Sequence, residues 1–184
     1  MKRFIKLTIL ASLAALLAGC FSSVPGELKS SVGETYYTQR NLWIYRSEHE
    51  TVNYAVERLL PINSEIKVRD IGGKVVEFTL LDDGADLVLI NVEKYTQTGM
   101  SEIFDRYFAK SKVSLSSFSA AEREAIEAGD VREGMSKAAV LLARGYPPAH
   151  ETHSVENDEW KYWRNRFNTR VVHFDNGRVD RIVD

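Results

Sequence analysis

The chain has 184 residues, with 24 Lys and Arg, 26 Asp and Glu and 44% hydrophobic residues. Such a chain can bury one good core or two small ones, and the composition excludes a disordered body. Its single cysteine excludes an intramolecular disulfide and a metal site built on several thiolates. Without the three cations of residues 1–19, 21 Lys and Arg face 26 Asp and Glu. The resulting formal net charge of −5 argues against a nucleic-acid partner.

The first twenty residues have the pattern of an export signal. Lys2, Arg3 and Lys6 precede the apolar stretch 7–19, which is shorter than the roughly 20 residues that a membrane-spanning helix needs. We therefore expect residues 1–19 to be a signal peptide that is removed.

The end of this segment, Leu17-Ala18-Gly19-Cys20, resembles the lipobox of bacterial lipoproteins. The resemblance implies a diacylglycerol group and an N-acyl chain such as palmitate on Cys20, and we expect no other cofactor and no metal. Two or more acyl chains hold a protein firmly at a bilayer. Phe21, and not Asp, follows the cysteine, which favours the outer membrane with the protein facing the periplasm.

Residues 20–32 are rich in Ser, Pro, Gly and Lys, which predicts a flexible lipidated tether. Residues 33–118 are predicted to be mainly β, because Ile66 and Val68 alternate, as do Val76, Phe78 and Leu80. Gly72-Gly73 and Asp82-Asp83-Gly84 are turns in this interpretation, and residues 87–92 form a covered strand. Another strand at 41–46 would give a small sheet or a barrel of SH3-like size.

Three helices are predicted. Ile103, Phe104, Tyr107 and Phe108 form one apolar stripe. Ser119 and Glu122 form a capping box for a second helix that stops at Gly129. The third begins at Ser136, carries Val140, Leu141 and Leu142 inward and ends at Gly145 before Pro147-Pro148.

The last thirty residues return to strand patterning. Trp160 and Tyr162 share one face, Val172 and Phe174 share one face, and Val179 begins the final strand. Asn176-Gly177 between the last two strands predicts a type I′ turn. The expected fold class is α+β, with two helices followed by three antiparallel strands in residues 119–184.

Gly134-Met135-Ser136, Gly145 with Pro147, Trp160 with Tyr162, and Phe174 with Asn176-Gly177 form one motif. In these residues the segment 126–184 resembles the SmpA/OmlA family of small outer-membrane lipoproteins, which includes the BamE subunit of the β-barrel assembly machine. The resemblance implies a helical pair packed on a three-stranded sheet. Ala139 departs from the pattern, because the family usually has Glu there to complete a capping box with Ser136. The residues that carry the motif include Gly134, Met135, Ser136, Gly145, Pro147, Trp160, Tyr162, Phe174, Asn176 and Gly177.

One surface is a candidate for binding: cations and aromatic side chains alternate across a predicted strand and its turn in an otherwise acidic chain. Arginine and aromatic residues dominate protein interfaces, so an acidic protein or lipid phosphate fits, although a solvated outer face is the alternative. We call these residues the basic aromatic patch: Lys161, Trp163, Arg164, Arg166, Phe167 and Arg170.

No spacing in the sequence supports a catalytic triad, and His150 and His153 are three apart where a zinc-binding helix needs four. We therefore expect a non-enzymatic module that binds a protein partner in the envelope, in addition to the membrane contact through lipid. Two alternatives stay open. One is an inhibitor or ligand sensor with a fold like that of β-lactamase inhibitory proteins, and the other is a cell-wall binder acting through residues 33–97.

Overall fold

The computed structural model describes residues 26–184. The predicted signal peptide, Cys20 and the first part of the tether lie outside the described residues. The fold is α+β with several sheets, as the sequence predicts. In chain order, its first elements are α1 (Gly26–Lys29), β1 (Thr35–Thr38), β2 (Leu42–Ile44), β3 (Glu48–Glu50), β4 (Arg58–Leu60), β5 (Glu65–Ile71), β6 (Val75–Leu80), β7 (Asp86–Ile90), α2 (Glu93–Thr96), α3 (Met100–Tyr107) and β8 (Phe108–Ala109).

These elements build a six-stranded sheet with the order β3-β7-β6-β5-β1-β8, and β2 pairs with β4 in a separate two-stranded sheet. The strands β5, β6 and β7 form the predicted antiparallel meander. Its inward face consists of residues that are at most 3% exposed: Ile66, Val68, Val76, Phe78 and Leu80. Helix α3 packs on this face, and the ring of Phe104 meets that of Tyr36 edge-on at 5.1 Å.

Two details of this half differ from the prediction. The apolar stripe of α3 ends at Tyr107, because Phe108 is extended and pairs with Thr38 of β1. The folded body also begins earlier than the predicted tether allows. Leu28 of α1 is 5% exposed within the first core, and the hydroxyls of Ser31 and Tyr36 lie 2.7 Å apart. One apolar side chain is enough to bind a polar segment to a core.

The second half follows the predicted order of two helices and three strands. Residues 113–118, before the expected boundary at 119, already place Val113, Leu115 and Phe118 against the second core. The sheet has the order β11-β10-β9, with antiparallel pairing throughout. Its elements are α4 (Ala120–Ala128), α5 (Lys137–Arg144), β9 (Glu159–Trp163), β10 (Thr169–Asp175) and β11 (Arg178–Val183).

Helices α4 and α5 share a core with this sheet, in which Trp160 lies 4.6 Å from Phe174 between ring centroids. The inward face of α5 consists of Ala139, Val140 and Ala143, which are fully buried. Leu141 and Leu142 also pack against this core, as predicted, but they are only half-buried and flank the inward face. Successive residues on a helix turn by about 100°, so three in a row cannot share one face, whereas positions three and four apart can.

Glu122 caps two helices at once. One of its carboxylate oxygens accepts hydrogen bonds from the backbone N–H (3.0 Å) and hydroxyl (3.0 Å) of Ser119, the N-cap of α4. The other accepts from the backbone N–H of Ser136, the N-cap of α5, at 2.9 Å. Glu122 thereby takes the place of the capping glutamate that the family pattern expects at Ala139.

The hydrogen bonds decide the ionisation of Glu122. Burial disfavours its charge, but the N–H groups and hydroxyls of Ser136 and Ser119 outweigh burial and lower its pKa from 4.5 to about 2. The stabilisation that the ionised carboxylate contributes is therefore complete above pH 4.5 and disappears as the pH falls through 2. A pKa difference of this size corresponds to about 3 kcal/mol of unfolding free energy.

We expect Glu122→Gln to lower the unfolding free energy by about 2 to 3 kcal/mol at pH 7, because an amide offers one acceptor oxygen where two N-caps need two. Urea unfolding at pH 7, 4.5 and 3 measures the effect, and the gap between the two proteins should narrow at pH 3. Glu124→Gln, at an exposed position of the same helix, is the control. An equal loss at both positions would contradict the double cap.

Candidate functional site

The structure neutralises much of the basic aromatic patch. The ammonium of Lys161 lies 2.9 Å from Glu151. Arg164 and Arg170 both contact Asp184, at 3.2 and 2.6 Å, and Arg170 also lies 3.6 Å from Asp130. These hydrogen bonds lower the pKa of Asp184, chiefly through Arg170. Three of the four patch cations therefore already have carboxylate partners, and the patch is less positive than its sequence suggests.

The remaining patch residues lie at one end of the second sheet. Arg166 and Phe167 are in the turn between β9 and β10, and Phe167 is 90% exposed, the most exposed large apolar side chain in residues 26–184. Asn165 shapes this turn, since its side-chain oxygen accepts from the backbone N–H groups of Phe167 (2.9 Å) and Asn168 (3.0 Å). Trp163 is half-buried on the face of β9 opposite the core, as strand alternation predicts.

Arg166 and Asn165 complete a cleft of about 410 Å³ whose other residues come from the first half of the chain. We call it the aromatic cleft, and its rings are those of Trp43, Tyr45 and Tyr54. The volume lies in the range of small-ligand and peptide side-chain sites. Two distant segments of the sequence, 43–56 and 165–166, thus form one concave surface.

The charges of the aromatic cleft have both signs. Arg46 and Arg166 lie in it with Glu48 and Glu50, and none of the four forms an ion pair with another described residue. The guanidinium of Arg46 lies 5.1 Å from the ring centroid of Tyr45. Burial raises the pKa of the Tyr54 phenol, against the opposing influence of Arg166. These unpaired charges beside aromatic rings are available to a ligand.

Buried amides fix the two sides of the cleft to each other. The side chain of Asn41, 1% exposed, donates to the carbonyls of Ile126 (2.5 Å) and Ala143 (3.1 Å) at the ends of α4 and α5. Its oxygen accepts from the backbone N–H of Ile62 at 2.7 Å. The amide of buried Asn53 donates to the carbonyl of Arg144 in the same region. These hydrogen bonds therefore fix the position of the β2–β4 sheet relative to helices α4 and α5.

The two C-cap glycines add close packing at this junction. Gly129 and Gly145 have positive φ angles, as the helix-end prediction requires. A side chain at Gly129 would also meet Leu59 at 2.9 Å and Trp43 at 3.0 Å, and one at Gly145 would collide with the Asn53 amide. The glycines thus allow both the helix end and the close approach of the first half.

The other motif residues hold the second half in shape. Gly134 and Gly177 have φ angles of +84° and +75° in open space, and Asn176 has +49°, as the type I′ turn predicts. Ser136 caps α5 by accepting from the Ala139 N–H at 3.2 Å. The hydroxyl of Tyr162 donates to the carbonyl of Gly145 at 2.9 Å. The remaining four residues of the motif are buried: Met135, Pro147, Trp160 and Phe174.

Behind the aromatic cleft lies a buried arginine that the sequence analysis did not single out. Arg144 is 4% exposed, and its guanidinium carbon lies 5.9 Å from the Trp43 ring and 5.6 Å from the Tyr162 ring. One of its nitrogens donates to the carbonyl of Trp163 at 3.3 Å, while the other terminal nitrogen has no partner among the described residues. Burial lowers its pKa to about 10. At a helix C-terminus the sequence suggests a solvated arginine, so only the fold reveals this one.

His49 lies on the inward side of β3, opposite Glu48 and Glu50. It is 1% exposed, with Nδ1 3.0 Å from the Trp43 carbonyl and Nε2 3.4 Å from the Tyr107 hydroxyl. Because a carbonyl only accepts, Nδ1 carries the proton and Nε2 accepts from Tyr107. Burial lowers the pKa of His49 to about 4, and the charges of Arg144 and Arg40 act in the same direction.

In residues 26–184, no helix has the length and apolar character to cross a membrane, and no cluster of three or more His, Cys, Asp or Glu is placed to hold a metal ion. The His150 to His153 segment is a loop in which both histidines are exposed and Thr152 is buried. Comparisons of the chain with protein-family models, with curated proteins and with solved structures find no match.

We expect the unfolding free energy to fall by about 3 kcal/mol as the pH drops from 6.5 to 4, because the unfolded chain protonates His49 in this range and the folded chain does not. Urea unfolding in steps of pH measures this slope. His49→Gln, whose amide can make the same two hydrogen bonds, should remove the His49 share of the slope. His150→Gln, at an exposed position, is the control, and an unchanged slope in His49→Gln would contradict the assignment.

Proposed function

We propose that this protein is an outer-membrane lipoprotein, anchored through acyl chains on Cys20, that binds an envelope protein on its periplasmic side. The observation that carries the binding role is the exposure of Phe167, which directly follows Arg166 of the aromatic cleft in the turn between β9 and β10. A ring that is 90% exposed contributes almost nothing to folding but offers a large apolar anchor to a partner. The role is adhesion without a catalytic step.

The partner that fits is an extended polypeptide segment carrying an apolar anchor and charged side chains of both signs. An aromatic or aliphatic side chain would pack on Trp43, Tyr45 and Tyr54, while Phe167 in the adjoining turn would contact another part of the segment. Its charged neighbours would pair with Arg46 and Arg166 on one side and with Glu48 and Glu50 on the other. A polyanion such as nucleic acid matches this mixture poorly.

The arrangement of α4 and α5 on β9, β10 and β11 supports a finer part of the proposal, that the second half is a BamE-like module. The first half, with its six-stranded sheet, is then the part that distinguishes this protein from a minimal module of that kind. We propose that it is an SH3-like element adapted to form one wall of the aromatic cleft. A barrel-assembly or other envelope complex is the expected setting for the partner.

We expect a photo-crosslinking residue in place of Phe167 to capture one envelope protein in cells, identified by mass spectrometry. The same residue in place of Leu81, which is 45% exposed on the first sheet, should capture none of it. With the identified partner purified, Phe167→Ser should weaken binding about tenfold or more while changing the unfolding free energy by less than about 0.5 kcal/mol. Leu81→Ser should leave binding unchanged.

Equal capture from both positions, or full affinity in Phe167→Ser, would refute the binding surface. Two further assays separate the alternatives. Stoichiometric inhibition of a secreted hydrolase by the purified protein would favour the inhibitor. The cell-wall binder would be favoured if the protein sediments with peptidoglycan in the absence of any protein partner and Tyr45→Ser abolishes this sedimentation.

We expect Cys20→Ser to abolish lipid attachment, so that the protein incorporates no palmitate and does not reach the outer-membrane fraction. Labelling with radioactive palmitate and fractionation of the envelope measure this outcome. Cells carrying the variant should accumulate the uncleaved precursor, because the lipoprotein peptidase acts on the lipidated cysteine. Normal processing and unchanged membrane association in Cys20→Ser would refute the anchor, whatever the result at Phe167.

A further inference from the structure

A second cleft, of about 370 Å³, lies between the first half of the chain and the loop that joins α5 to β9. We call it the hydroxyl cleft, and its polar residues include Thr96, Thr98, Arg106, Tyr146, Thr152 and Ser154. Strand β3 separates it from the aromatic cleft, since Glu48 and Glu50 line the latter and Thr51 lines the former. The two clefts have no lining residue in common.

The lining of the hydroxyl cleft contains no Asp or Glu, in a chain with 26 acidic residues. Its ionisable side chains include Arg106 and His153, both nitrogen bases. The ion-pair partner of Arg106 is Glu102, which is 62% exposed and lies outside the lining. The cleft thus presents positive charge without a carboxylate of its own.

A second arginine lies behind the wall of this cleft. Arg40 is 7% exposed, and its guanidinium carbon lies 4.6 Å from the ring centroid of Tyr146 and 5.5 Å from that of Tyr107. Its Nε donates to the carbonyl of Arg106 at 2.7 Å, and one terminal nitrogen has no partner among the described residues. The charged and phenolic groups that act on it are Tyr107, Tyr146 and Arg106, none of which is a carboxylate. A buried cation without a counterion is costly unless something else supplies negative charge.

Tyr146 joins the two arginines. The guanidinium of Arg106 lies 4.5 Å from the same ring that Arg40 approaches. Two cations on one ring raise the positive potential at the cleft wall, and the low polarisability of the interior screens it little. An anion in the cleft would be attracted by both.

The cleft also offers hydroxyl protons. The hydroxyl of Ser154 accepts from the Glu156 N–H at 3.1 Å, and that of Thr152 accepts from the Lys161 N–H at 3.0 Å. Neither hydroxyl donates to another described group, so each keeps a proton for a ligand. Apolar wall is supplied by Ile103, Pro147, Pro148 and Val155.

We propose that the hydroxyl cleft binds a small organic anion. Its oxyanion head meets Arg106 and the hydroxyls of Thr152 and Ser154, and its apolar body packs on Pro147 and Pro148. Arg40 does not touch the ligand but stabilises it by its charge through the tyrosine wall. The volume accommodates a body larger than a bare inorganic ion. This site is independent of the polypeptide surface at the aromatic cleft.

Matched pairs of probes test the proposal on the purified protein at pH 7.5 and constant ionic strength. Benzoate is compared with benzamide, and phenyl phosphate with phenol, by saturation-transfer NMR and by titration. We expect the anion of at least one pair to bind with a dissociation constant of about 1 mM or tighter and its neutral counterpart to bind at least about tenfold more weakly. The pair that responds identifies carboxylate or phosphate as the head.

Three variants assign the binding to this cleft. Arg106→Gln, at a partly exposed position, should lower the affinity for the anion about tenfold. Arg40→Met should also lower this affinity, whereas Arg40→Lys should retain it. Arg166→Gln, in the aromatic cleft, should change nothing. If Arg40→Met does not fold, the affinity of Arg106→Gln for the anion alone decides whether the anion binds in this cleft. Equal binding of charged and neutral probes, full affinity in Arg106→Gln, or no binding of either anion would overturn the proposal.

Discussion

The architecture depends on one buried amide. Asn41 contributes three side-chain hydrogen bonds and one backbone bond, to Leu142 at 3.0 Å, and its partners belong to both helices of the second half and to Ile62 near β4. The carbonyls that accept from its side-chain NH2 group lie in the last turns of α4 and α5, where few intrahelical donors remain. Both clefts have walls from each side of this junction, so their shape follows from the amide. A side chain that could not donate and accept together would leave buried groups unpaired on both sides.

The local signals in the sequence predict much of the fold, because they act between neighbours. The Ser119 to Glu122 box, the C-cap glycines and the Asn176-Gly177 turn are confirmed, since each depends on a few adjacent φ angles and one or two hydrogen bonds. What the sequence does not reveal is where a side chain meets a distant one. The second bond of Glu122, to Ser136, spans 14 positions, and nothing around Ala139 indicates that its missing glutamate is supplied from another helix.

The difference between contacts of neighbouring residues and contacts of distant residues also applies to the candidate site. The patch residues were recognisable as cations and rings at alternate positions, but their carboxylate partners Asp130, Asp184 and Glu151 are separated from them in the sequence. Pairing leaves Arg166 as the patch cation without a carboxylate partner among the described residues, and the fold places it in one cleft with Trp43 and Tyr45, more than a hundred positions earlier. The burial of Arg40 and Arg144 cannot be predicted from the sequence. Long cationic side chains are usually solvated, and only tertiary packing shows which ones are not.

The separation of Asn41 from its partners also affects the order of folding. Two hydrogen bonds of its side chain join residues that are 85 and 102 positions apart. Closing loops of this length costs chain entropy before the contacts form. In a chain that emerges N-terminus first, β2 and β4 are present well before α5. During that interval the side-chain NH2 group of Asn41 lacks its native acceptors, whereas its oxygen can already accept from Ile62. The junction between the two halves can therefore close only after residues 126 and 143 have emerged.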